Sequence, residues 1–87
     1  MLPGEEIITQ GISDLADGNE TIPALLVAIG APRLRRLGIA IPSDLPDSPE
    51  HRLYDLLRST AGDAAHSKYN ALVRRLVSFE RAAECAK

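Results

Sequence analysis

The sequence predicts an all-α fold, a small bundle of four to five helices with a long C-terminal helix. Three observations predict it. From Asp63 to Lys87, apolar or small residues recur at Ala65, Tyr69, Leu72, Leu76, Phe79, Ala83 and Ala86, in alternating steps of four and three that keep to one helix face. The hydrophobic fraction is 45% and the aromatic fraction only 3%, so the core is built from Leu, Ile, Val and Ala, which suit closely packed helices. Gly, Pro and capping residues recur between short apolar runs, as helix ends require.

The first helix is predicted over Glu5 to about Ala16, with Ile8, Ile12 and Leu15 on one face and Glu5 and Glu6 where the helix dipole favours negative charge. Gly11 weakens it, and Asp17-Gly18-Asn19 stops it. Glu6–Thr9 also reads as a short strand. A second helix starts near Thr21, which can cap it, with Pro23 in the first turn and Ile22, Leu25, Leu26 and Ile29 mostly buried. Gly30-Ala31-Pro32 is expected to break it, leaving a separate helical turn from Pro32 to Leu37 that ends at Gly38. Ile39-Ala40-Ile41-Pro42 reads as extended, because a residue before Pro avoids the helical region. Ser43 to Ser48 reads as a surface loop.

Ser48 as N-cap, Pro49 at the first position and Glu50 in the first turn open the next helix, which carries Leu53, Leu56 and Leu57, with Tyr54 at its edge. Gly62 ends it, and Asp63 is expected to cap a last helix running to about Glu84. Val73 and Val77 widen the apolar stripe beyond the narrow seam of a two-stranded coiled coil, which points to burial among several helices. The opposite face carries Lys68, Arg74, Arg75 and Arg81.

A length of 87 residues predicts a single domain, residues 1–87. The lone Cys85 cannot form an internal disulfide, so a reducing cytoplasm is expected. Met1 suggests a native start. The first residues lack the basic and apolar runs of a signal peptide, and no apolar stretch reaches membrane-span length. Net charge is −2 and unevenly spread: every charged residue before Arg33 is an acid (Glu5, Glu6, Asp14, Asp17, Glu20). Such asymmetry either marks a binding surface or lets the two halves attract each other within the fold.

The chemistry-bearing residues are sparse. His51, His66 and Cys85 are too scattered for a metal pattern, so no metal and no cofactor are expected. Cys85 lies at a fraying end, and Ser48–His51 and Asp63–His66 read as helix-start residues rather than nucleophile and base. Gly30 and Gly38 are isolated and form no phosphate-binding loop. Arg33, Arg35 and Arg36 in one turn, with Arg74 and Arg75 on the last helix, could make a phosphate-binding surface if they faced the same way. Two helix-turn-helix units are conceivable, Thr21–Gly38 around Gly30 and Leu53–Leu76 around Gly62, and neither has good spacing. The negative net charge and scarcity of aromatics also count against nucleic acid.

Leu34-Arg35-Arg36-Leu37-Gly38-Ile39, followed by His51-Arg52-Leu53-Tyr54-Asp55-Leu56-Leu57, resembles the Leu-x-x-Leu-Gly-Ile segment and following helix of sterile-alpha-motif domains, and Asp17-Gly18 with Leu25-Leu26 echoes the segment before it. The resemblance covers roughly half the chain, with a proline-rich loop where the family has a short link and with a truncated front. It implies a small helical interaction module.

The sequence therefore predicts a small non-enzymatic protein that binds another protein or itself, with no membrane and no small-molecule substrate. Arg33, Arg35, Arg36, Lys68, Arg74, Arg75 and Arg81 are the expected partner-binding residues. A nucleic-acid-binding regulator using Arg33, Arg35, Arg36, Arg74 and Arg75 is the alternative.

Overall fold

The computed structural model describes residues 2–86, which are largely helical and contain no strand. Helices α1 (Glu5–Ala16) and α2 (Ile22–Arg36) are followed by an irregular stretch and then by α3 (Pro49–Ala61), a 3-10 turn (Gly62–Ala64) and α4 (Ala65–Cys85). No non-helical residue separates the last three. The helical residues thus form three unbroken stretches, 5–16, 22–36 and 49–85. The expected four to five separate helices are corrected to that extent. The third stretch changes direction at Gly62 (φ 57°, ψ −120°) instead of ending there, and its second arm is the long C-terminal helix.

α1 spans the expected residues and is helix, not strand, at Glu6–Thr9. Two backbone bonds close it: the Gly18 N–H donates to the Leu15 carbonyl (3.1 Å) and the Asn19 N–H to the Asp14 carbonyl (2.8 Å). α2 ends on the same pair of bonds, from Gly38 to Arg35 (3.0 Å) and from Ile39 to Leu34 (3.1 Å), with Gly38 at φ +89°. This ending favours a left-handed residue, hence glycine, and in α2 an apolar residue follows it and meets the helix. Ile39 packs on the core that holds Leu34.

The expected break at Gly30-Ala31-Pro32 does not occur, and no separate turn over Pro32–Leu37 exists. α2 runs through Pro32 to Arg36. A mid-helix proline removes one backbone bond and is costly in isolation. Here the helix is held on both sides of it by Leu26, Val27, Ala31 and Leu34, all fully buried, while Pro32 is exposed. Each buried large aliphatic stabilises by roughly 1.5–3 kcal/mol, so packing outweighs local preference. At the start of α2, Thr21 caps as expected: its Oγ1 accepts from the Ala24 N–H at 3.2 Å.

Two other expected caps are corrected. Ser48 adopts φ +48° and its side chain makes no capping bond. Asp63 lies inside the 3-10 turn, and α4 begins at Ala65 without a side-chain cap. In both places the residue at the cap position, Ser48 or Ala64, lacks the extended backbone that a side-chain cap uses.

The stripe on α4 faces the bundle. Ala65, Leu76 and Phe79 are buried, while Tyr69, Leu72 and Ala83 are half-buried and pack on the core; Ala86, past the helix end, is exposed. One apolar cluster joins Ile8 and Leu15 of α1, Leu25, Leu26 and Leu34 of α2, Leu53 and Leu57 of α3, and Leu76 and Phe79 of α4. Close approach depends on two small residues. A Cβ on Gly11 would stand 2.3 Å from the Pro23 carbonyl oxygen, and one on Gly30 would stand 2.8 Å from Cδ1 of Leu76. No helix among the described residues is long and apolar enough to cross a membrane.

Candidate functional site

The expected binding residues divide into three groups. At the C-terminal end of α2, Arg33 donates from Nη2 to Oε2 of Glu84 at 2.6 Å, and its Nη1 lies 3.7 Å from Oε1 of Glu80. Glu80 is 4% exposed, a carboxylate sunk into the α2–α4 seam opposite Gly30. Burial pushes its carboxyl above the ordinary range, with Arg33 and Arg36 pulling the other way. Glu84 is exposed and held below the ordinary range, chiefly by the hydrogen bond from Arg33. Arg35 is turned to the following loop, donating to the Pro42 carbonyl at 2.7 Å.

A second group ties the acidic front of the chain to its arginine-bearing remainder. Arg75 of α4 donates to Glu6 of α1 at 2.5 Å, and Arg52 of α3 to both carboxylate oxygens of Glu20 at 2.9 Å. The charge asymmetry is thus partly spent within the fold. Arg75 and Glu84, the partner of Arg33, are nine residues apart on α4. That separation is two and a half turns, so they lie on opposite sides of the helix, roughly 13 Å apart along it. Arg33 and Arg75 are therefore not brought onto one surface. Arg74 and Arg81 are exposed and have no ion partner among the described residues.

The third group is a surface hollow of about 330 Å³ between the start of α2, the end of α3 and the middle of α4. Ile22, Leu57, Ala71 and Leu72 give it an apolar lining, Thr60 sits on the α3 side, and Lys68 and Arg75 contribute positive charge from α4. Lys68 is exposed and has no ion partner among the described residues. Sequence reasoning assigned Ile22, Leu57 and Leu72 to the core only. Leu57 is indeed buried, but Ile22 and Leu72 are half-buried and open onto this hollow. Glu80 was missed as well. Its position four residues after Leu76 puts it inside the apolar stripe, and that was the available signal.

The residues considered for catalysis are dispersed. Nε2 of His51 lies 3.2 Å from Asp55, not beside Ser48, and both side chains are largely exposed. His66 pairs with Asn70 and lies edge-on to Tyr54, which also packs against Tyr69 with ring centroids 5.8 Å apart. Cys85 is exposed at the end of α4. Among the described residues no group of three or more His, Cys, Asp or Glu side chains is arranged to hold a metal ion.

Of the two helix-turn-helix segments, the first is absent because Gly30 lies inside continuous helix; the second keeps a turn at Gly62. Comparison with protein-family models, curated proteins and solved structures finds no match for this chain. The Leu34-to-Ile39 resemblance to sterile-alpha-motif domains falls on a helix ending that α1 also makes, with Asp17-Gly18-Asn19 in place of Leu37-Gly38-Ile39, so the glycine there is explained by the ending alone.

Proposed function

We propose that this protein is a small non-enzymatic interaction module that acts by binding another protein. The observation that carries the reading is the hollow of Ile22, Leu57, Ala71 and Leu72 flanked by Lys68 and Arg75. Apolar surface left open beside charge is the composition of protein-binding patches, where a desolvated centre supplies affinity and a charged edge supplies orientation. The single exposed Cys85 fits a reducing cytoplasm as the place where it works.

Nucleic-acid binding has weaker support. Arg33 and Arg75 are partly neutralised by Glu84 and Glu6 and lie on opposite sides of α4, so the five arginines do not form one phosphate-binding surface. Affinity capture with the native protein, with and without nuclease, followed by mass spectrometry, tests the reading. A specific protein retained after nuclease treatment is the expected result. Retention of nucleic acid alone, or of no specific protein, would overturn it.

A further inference from the structure

We infer that the hollow between α3 and α4 is a docking groove for an amphipathic helix of a partner protein, one whose apolar face is flanked by carboxylates about two turns apart; this rests on the interaction reading above. Its α4 wall consists of Lys68, Ala71, Leu72 and Arg75, positions i, i+3, i+4 and i+7. Those positions form one continuous helix face, roughly 10 Å long between its ends. Lys68 and Arg75 occupy the two ends, with apolar residues between. A helix laid along that face presents its own i, i+3, i+4 and i+7 residues to the floor and meets a cation at each end.

The charges specify the sign of the partner. Lys68 is without an ion partner among the described residues, and Arg75 commits one nitrogen, Nη2, to Glu6. The other guanidinium N–H groups can receive a second carboxylate. The chain itself uses this chemistry beside the groove. α1 brings Glu6 to Arg75, with Ile8 buried in the core beneath, and its N-terminal Gly4 is packed against the Arg75 carbonyl. A basic partner helix would place like charges against Lys68 and is disfavoured. A second copy of this chain is a poor occupant through α1, its most acidic helix, because Ile8 and Leu15 are already buried in their own core.

Two synthetic helical peptides of equal length test the inference, each with Leu at i, i+3, i+4 and i+7, one flanked by Glu and one by Lys. Amide shift mapping with the Glu peptide is expected to move Thr60, Lys68, Ala71 and Leu72. Lys68→Glu, a change at an exposed side chain, is expected to weaken that peptide about tenfold and to strengthen the Lys peptide. Shifts centred elsewhere, or no exchange of preference in the variant, would overturn the inference. Shifts at the same amides that appear with protein concentration alone would assign the groove to a second copy and overturn it too. The broader reading fails separately. If Lys68→Glu still retains the captured partner while the peptides do not bind, the groove assignment falls and the interaction module stands.

Discussion

Gly11 of α1 lies so close to Pro23 of α2 that a β-carbon at residue 11 would stand 2.3 Å from the Pro23 carbonyl oxygen and 2.5 Å from Cγ2 of Val27. In isolation a mid-helix glycine costs about 1 kcal/mol relative to alanine. Here it permits a close approach between the two helices. Gly11→Ala, which would improve helix propensity, is therefore expected to destabilise the protein by about 3 kcal/mol through overpacking, measured by urea denaturation. An unchanged or raised midpoint would contradict the observed packing of α1 on α2.

The buried Glu80 predicts a pH dependence. A carboxyl whose folded-state pKa lies above its unfolded value binds its proton more tightly when folded. Its contribution to stability is full below the unfolded carboxylate pKa and is lost as pH rises through the raised value. Glu84 runs the other way: its contribution is present above the ordinary range and is lost as pH falls through its lowered value. Glu80→Gln removes the buried charge and keeps the shape. It is expected to raise the thermal midpoint at neutral pH and to lose that advantage at about pH 3, below the ordinary glutamate range. A variant less stable than the parent at neutral pH would show that the attraction to Arg33 outweighs the cost of burial.

The turn between α3 and α4 depends on backbone conformation. Gly62 holds φ 57° and ψ −120°, with no atom within 4 Å of a would-be β-carbon. Gly62→Ala is expected to cost about 1–3 kcal/mol from strain alone. Calorimetry would check this, and an unaffected midpoint would mean the chain can turn there without glycine.

The ion pair of Arg75 and Glu6 is half-exposed, with side-chain exposures of 47% and 61%. A double-mutant cycle on Glu6→Ala and Arg75→Ala is expected to give a coupling below about 1 kcal/mol that shrinks as salt is added. A large, salt-insensitive coupling would mean that the pair is a structural clamp between α1 and α4 rather than a surface contact.

Much of this architecture was legible in the residues. The limits of α1, the Thr21 cap and the inward face of α4 follow from spacing and capping chemistry, which are local. The mistakes share one cause. Pro32 reads locally as a helix breaker, and only the burial of Leu34 and Ala31 against other helices overrides it. Ser48 and Asp63 have the right chemistry for caps, but the backbone entering α3 and α4 lacks the extended cap conformation. The expected arginine surface suffered the same way. Arg33 and Arg75 share a charge sign, but their partners Glu84 and Glu6 sit on opposite sides of α4, which no linear reading of Arg33 could show. The hollow was invisible for a further reason: Leu57 and Leu72 belong to helix faces that read as core, and only the assembled helices leave Leu72 partly open.

Site-specific photo-crosslinking tests the central claim most directly. A photoreactive residue replacing Ala71, on the exposed α4 wall of the groove, is compared with one replacing Ser78, which lies well outside it. The account predicts that position 71 alone captures, in cells, a protein whose attachment site lies on an acidic amphipathic helix, and that Lys68→Glu strongly reduces the adduct. Equal labelling from both positions, an adduct to nucleic acid, or an adduct indifferent to Lys68→Glu would contradict it.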